Sequence, residues 1–197
     1  VVVTSVTRDD MPDGGAGTED ILVPASSNPE GIQGHWYPFS NAESDVVVIE
    51  AGADRICVLG QLALAGDGWA FGGLGFAPCY SDGDFDPAYT EFALGDCPFV
   101  SELARRLVGV SFTLTGSVQE GLRLEAMEVD DNNPAYFLPG DAGSGEYLFT
   151  DISFQMEEDE LVMDRLLRIQ VILNSEADPP PELMFCIEDM RLLLTDD

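Results

Sequence analysis

The feature that most limits what this chain can become is a period-two alternation of apolar and polar residues that recurs along its length, with no convincing long helical periodicity to compete with it. Residues two apart share one face of a strand, so such alternation marks a ribbon with one face in a core and the other in water. Over residues 56–64, Ile56, Val58, Leu62 and Leu64 share a face. Over 108–115, Val108, Val110, Phe112 and Leu114 share one, with Ser111, Thr113 and Thr115 opposite. Further strands are expected at 45–50, 68–76, 122–129, 147–156, 166–173 and 183–193, separated by turn signals such as Gly66-Asp67-Gly68, Asn132-Asn133-Pro134 and Asp178-Pro179-Pro180-Pro181. Many short strands with this punctuation predict an all-β, antiparallel sandwich or barrel. Residues 100–107, where Leu103 and Leu107 share a face, predict a helix of a turn or two; residues 157–167 read either as helix or as a loop before the next strand.

The 197 residues fit one domain, and a chain of this size buries roughly 70% of the surface its unfolded form exposes. No internal repeat and no Gly/Ser-rich linker divides it. Residues 1–7 place β-branched side chains at six of seven positions. They are expected to form the first strand of the domain's own sheet or, alternatively, a strand that pairs with a neighbouring subunit to make a homo-oligomer. Residues 8–34 are expected to form an acidic, Gly-rich loop region.

A formal charge of −29 arises from 37 acidic residues against 8 basic ones, all arginine. Such a field repels nucleic acid and anionic membrane surfaces, which excludes both as partners. No stretch approaches the roughly 20 apolar residues of a membrane span. The acid excess suits three uses: solubility, retention of water and counterions in a salty setting, or coordination of Ca²⁺. Residue 1 is Val, and no charged-then-apolar leader follows, so a signal peptide of an exported chain is expected to have been removed.

Cys57, Cys79, Cys97 and Cys186 form no C-x-x-C pair, which favours two disulfides in an oxidising, secreted or cell-surface setting over a zinc or redox site. The preferred pairing is Cys79 with Cys97, closing the acidic loop between them, and Cys57 with Cys186, joining distant strands. Cys57 with Cys79 as a hairpin pair, or free buried thiols, stay open.

Common catalytic sets are missing. His35 is the only histidine, no G-x-S-x-G elbow or phosphate-binding loop is present, and without lysine there is no Schiff-base chemistry. Carboxylate pairs for glycoside hydrolysis exist in excess, and nothing in the sequence selects one. The chain is therefore expected not to be an enzyme. Asp82, Asp84 and Asp86 alternate in a turn, the spacing with which a flexible loop wraps oxygen ligands round Ca²⁺; an acidic solvent loop is the competing reading. The start of an EF-hand loop looks similar, but Pro87 stands where that loop has Gly, and Glu91 comes two positions early.

A carbohydrate-binding face needs flat aromatic surfaces beside polar groups, because sugar rings have apolar C–H faces and a rim of hydroxyls. In Trp69-Ala70-Phe71-Gly72-Gly73-Leu74-Gly75-Phe76, alternation places Trp69, Phe71, Gly73 and Gly75 on one face, aromatics beside a bare floor. Core packing of Trp69 is the plainer alternative. His35-Trp36-Tyr37 is a second aromatic cluster with the same two readings.

Four segments in order, Gly34-His35-Trp36-Tyr37 after Asp9-Asp10, the Gly-aromatic run 68–76, Leu107-Val108-Gly109-Val110-Ser111-Phe112, and Phe185-Cys186-Ile187-Glu188-Asp189-Met190-Arg191-Leu192, resemble the carbohydrate-binding-module type of jelly roll. This is the galactose-binding-domain-like sandwich often appended to secreted bacterial glycosidases. The resemblance implies an antiparallel jelly-roll β-sandwich and a structural calcium held by Asp9 or Asp10 with Asp189. It also implies a polysaccharide or glycan ligand on Trp and Tyr side chains, here Trp36, Tyr37 and Trp69 with Phe71. The expectation is a non-catalytic extracellular binding module; a structural surface or filament subunit assembling through residues 1–7 is the alternative, and a glycoside hydrolase the third.

Overall fold

The computed structural model of the chain describes residues 21–23, 34–51, 55–66, 68–81, 90–91, 94–97, 103–117, 121–128, 135–137, 142–149, 153–154 and 161–195. In chain order its strands begin with β1 (Ile21–Val23), β2 (Gly34–Ser40), β3 (Asp45–Ala51), β4 (Arg55–Gln61), β5 (Ala70–Ala77), β6 (Tyr80–Ser81) and β7 (Thr90–Glu91). They continue with β8 (Leu107–Ser117), β9 (Leu122–Glu128), β10 (Ala135–Phe137), β11 (Gly145–Leu148), β12 (Ser153–Phe154), β13 (Leu166–Ser175) and β14 (Glu182–Leu194). All described pairings are antiparallel. They build a seven-stranded sheet, β1-β2-β5-β13-β9-β10-β12, a five-stranded sheet, β11-β8-β14-β4-β3, and the small β6-β7 pair. The fold is the expected all-β antiparallel sandwich.

Alternation explains the core. Val46 and Val48 of β3, Ile56 and Val58 of β4, Phe112 and Leu114 of β8, and Leu183, Phe185 and Ile187 of β14 pack against Leu74 and Phe76 of β5, Leu122 and Leu124 of β9, and Ile169, Val171 and Leu173 of β13. Where a strand carries a bulge, the phase shifts. Asp189, with φ of 51°, is the extra residue between Glu188 and Arg191 of β14, so odd positions face the core before it and Met190 and Leu192 after it. A second irregularity at Leu193/Leu194 likewise puts Leu107 in the core and leaves Val108 half-buried, against the expected face at that end of β8.

Several boundaries depart from expectation. The strand expected over 147–156 is two strands in different sheets, β11 and β12. Strand β5 begins only at Ala70, because Gly68 (φ 87°) and Trp69 belong to a turn closed by the Gly68 N–H to Ala65 O and Ala65 N–H to Trp69 O hydrogen bonds. Helix α1 (Leu103–Arg106) is the expected single turn, and residues 163–165 form a 3₁₀ turn before β13. The loop region expected over 8–34 contains β1, and Gly34 already opens β2. Residues 1–7 lie outside the described residues.

The preferred cysteine pairing is formed. Cys79–Cys97 closes a separation of 18 residues, and Cys57–Cys186 one of 129, which resolves the alternatives. Cys57 and Cys186 are directly opposed neighbours on β4 and β14, distant only in sequence. Two disulfides belong to an oxidising compartment. No helix among the described residues is long and apolar enough to cross a membrane.

The corner between β2 and β3 is fastened to the start of β5 by the buried side chain of Asn41. Its Nδ2 donates to Ala63 O at 2.9 Å, and its Oδ1 accepts from Phe71 N–H at 3.3 Å and from the Ser44 hydroxyl, whose Oγ in turn accepts from Ala63 N–H at 2.9 Å. Asn41→Ala would strand a buried donor and acceptor, and is expected to lower stability by about 1–3 kcal/mol in urea unfolding; a change below 0.5 kcal/mol would show that the corner does not depend on it.

Candidate functional site

The register of the larger sheet gathers chemistry on the face turned away from the core. Tyr37 of β2 pairs with Gly75 of β5, Gly75 with Gln170 of β13, Gln170 with Glu125 of β9, and Glu125 with Phe137 of β10. These five positions form one row across five strands. At a strand spacing of about 4.8 Å the row is roughly 19 Å long. A parallel row, Phe39–Gly73–Ile172–Arg123, runs beside it.

Tyr37 is held flat against the sheet because Gly75 has no side chain, and a methyl group at Gly75 would overlap the Tyr37 ring. His35 and Phe39 flank that ring on the same strand, with centroids 5.1 and 6.1 Å away, and the Arg168 guanidinium lies 5.5 Å from its centre in a cation–π contact. The expected bare glycine floor is therefore carpeted by Tyr37 at Gly75. Phe71, half-buried, stands on the same face two residues from Gly73.

Trp36 and Trp69 do not join them. Strand alternation turns Trp36 inward; it is 6% exposed and packs on Phe76 with centroids 4.8 Å apart, which leaves it no surface for a ligand. Trp69 is 47% exposed in the turn before β5, off the end of the row, so the core packing considered for it does not occur. Of the proposed calcium ligands, Asp189 is exposed at the β14 bulge, while Asp9, Asp10, Asp82, Asp84 and Asp86 lie outside the described residues. Among the described residues no group of three or more His, Cys, Asp or Glu side chains is placed to hold a metal.

Two residues missed from sequence form the middle of the row. Glu125 and Gln170 are each 5% exposed, with Gln170 Nε2 3.5 Å from Glu125 Oε2 and also against Met127 Sδ. Burial pushes the Glu125 carboxyl up to about 7, against a smaller downward pull from the Arg123 guanidinium. A second buried acid on the same strand, Glu128, differs in kind: it accepts from Val162 N–H at 2.5 Å and pairs with Arg165 at 3.3 Å, a structural tie between β9 and the turn before β13. The sequence did carry one signal for Glu125. It occupies an outward position of an otherwise apolar-alternating strand, in phase with Arg123 and Met127.

On the outer face of the smaller sheet, Arg55 lies over the Cys57–Cys186 disulfide. It bridges Glu50 and Glu188, each at 2.9 Å, and Thr115 Oγ1 donates to Glu188 at 2.8 Å. This cluster closes on itself and offers a ligand little.

No family model matches the chain, and no curated protein does. Among solved structures, the chain described as "Structure of PfGH50B" is similar over 81% of this chain and 23% of its own length, at 12% identity and a TM-score of 0.39. The present chain thus spans less than a quarter of that protein, and a likeness so slight carries no functional argument. What the fold and the row define is a class: an antiparallel β-sandwich with an aromatic and polar row across one outer face.

Charging buried Glu125 costs the folded state. With the folded carboxyl near 7 and its unfolded counterpart near 4.5, the stabilising contribution is complete below about pH 4.5 and is lost as pH rises through 7. Glu125→Gln removes that dependence. Relative to the wild type, the variant is expected to gain up to about 3 kcal/mol between pH 4.5 and pH 8 in urea unfolding; a difference that is flat in pH would contradict the assigned burial cost.

Proposed function

We propose that this chain is a non-catalytic, secreted or cell-surface binding module whose ligand is a polysaccharide laid across the half-buried aromatic side chains Tyr37, Phe39 and Phe71 of the larger sheet. The observation that supports the reading is this aromatic patch: a ring held over Gly75, with Phe39 beside it on the same strand and Phe71 on the next. The apolar face of a sugar would rest on these rings, and the Arg168 guanidinium over Tyr37 would meet its hydroxyls. Phe71, Phe39 and Arg168 border the row, and the two disulfides accord with an extracellular setting.

Structural calcium belongs to the proposal on two grounds: the resemblance to carbohydrate-binding modules, which implies Asp9 or Asp10 with Asp189, and the sequence spacing of Asp82, Asp84 and Asp86. Asp189, exposed at its bulge, is open to a cation. Thermal unfolding with Ca²⁺ and then with a chelator tests it: a rise in Tm that chelation reverses is expected, and identical curves would remove calcium from the account.

The ligand is tested by affinity electrophoresis through gels containing soluble polysaccharides. Wild-type protein should be retarded in at least one, and Tyr37→Ala should lose at least tenfold in affinity. Unretarded migration in every gel would overturn glycan binding, and hydrolysis of the polymer would move the chain to the glycosidase reading, which needs a second carboxyl near Glu125.

A further inference from the structure

Strand β3 ends the five-stranded sheet, and among the described residues its one hydrogen-bonded neighbour is β4. Edge strands ordinarily blunt their open side with charge or proline, because a row of unpaired N–H and C=O groups is a template for another strand. β3 does the opposite. Between Asp45 and Glu50 it carries four consecutive β-branched apolar residues, Val46, Val47, Val48 and Ile49. Val46 and Val48 are buried in the core, while on the outer face half-buried Val47 begins a row with Leu59 of β4 and Met184 of β14. Ile49, at the bulge of β3, is 43% exposed, and Met184 is 39% exposed. An edge that is apolar on both faces fits a further strand that is apolar on both faces. We infer that residues 1–7 of the same chain are that strand, laid antiparallel on the open edge of β3 as the sixth of the smaller sheet.

Composition selects the segment. Outside the described residues, 1–7 is the one run with β-branched side chains at six of seven positions, so both faces of a strand made from it suit an apolar edge. Charge selects it again. A second β3, paired antiparallel, would set the acidic ends Asp45 and Glu50 of each copy against those of the other, in a chain of net charge −29. Residues 1–7 carry no charged side chain, and Arg8 would arrive beside the Asp45 end of β3. The connection also fits. In β1, Ile21 lies opposite Trp36 and Val23 opposite Gly34, so the chain enters β1 from the end at which β2 turns through Asn41 and Ser44 into Asp45. An antiparallel strand on β3 finishes at that same end. β1 and β3 border the same side of the sandwich: β1 lies beyond β2, which leads into β3, and Val46 of β3 lies against Gly72 of β5 across the core. Residues 8–20 therefore span little more than the roughly 10 Å between sheets, and 13 extended residues reach about 43 Å. So short a tether gives a local concentration on the order of millimolar, which favours the chain's own segment over that of another molecule. The segment guards the edge, keeping β3 from strands of other molecules.

The test is residue-resolved amide hydrogen exchange on the full chain at low and high protein concentration, with light scattering to give its size. In an open edge strand only the N–H groups turned toward the neighbouring strand are bonded, and the alternate set exchanges freely. Both sets across Val46–Val48 are expected to be protected in a monomer, independently of concentration. A variant lacking residues 1–7 should lose protection in the set turned away from β4, with exchange faster by about a hundredfold or more, while β8 and β14 keep theirs. Val3→Pro with Thr4→Pro, which removes a ladder N–H in either phase, should do the same. Where neither variant folds, isotope-filtered NOE spectra of a mixture of labelled and unlabelled wild type decide: contacts between residues 1–7 and β3 should appear within one molecule and be absent between molecules. Free exchange of the outward set in the wild type, or protection that survives both variants, would overturn the inference. So would a dimer whose edge protection rises with concentration, or contacts seen between molecules, either of which would make a second copy the occupant.

Discussion

The sandwich depends on one constraint: the apolar inward faces of the two sheets must meet. Phe76, Leu124 and Val171 from one sheet and Val58, Phe185 and Leu114 from the other fill the space between them. A gap of about 10 Å³ among residues such as Trp36, Phe112 and Met190 has room for no more than about one water. Because every second residue is committed inward, the residues between them are forced outward in register. The rows on the outer faces are thus a by-product of core formation, and their composition is where a sandwich is free to acquire function.

On the smaller sheet that freedom is spent on stability: a cross-strand disulfide, an arginine shared by two glutamates and a row of hydroxyls. Such a disulfide, closing a loop of more than a hundred residues, stabilises chiefly by limiting the unfolded chain, by about 4–5 kcal/mol in the entropic account. The larger sheet instead retains the buried acid Glu125, where a Gln would cost less at neutral pH.

Much of the sandwich was legible in the sequence because half-buried strands write their burial as alternation. β4, β8 and β13 could be placed from Ile56, Val58, Phe112, Leu114 and the apolar run from Leu166. β2 could not, because both of its faces carry aromatics, Trp36 inward and His35, Tyr37 and Phe39 outward, and because Pro38 argues against a strand. In the structure Pro38 pairs with Leu74 of β5, beyond the described register of β1. The 147–156 segment looked continuous because the change of sheet after β11 leaves no trace in hydrophobicity. At the candidate site, Tyr37, Phe71 and the glycines of β5 were legible as a composition of aromatics and bare floor. Glu125 and Gln170 were not, since a row is set by the register between strands far apart in sequence, and an outward phase alone does not single out one acid among 37 acidic residues.

The central claim is that ligand meets this protein on the outer row of the seven-stranded sheet. The most direct measurement is a backbone amide NMR titration with the polysaccharide that retards it most. Shifts concentrated at Tyr37, Phe39, Phe71 and Gly75, with β3 and β4 unmoved, are expected; shifts confined to the smaller sheet or to the turn carrying Trp69 would contradict it.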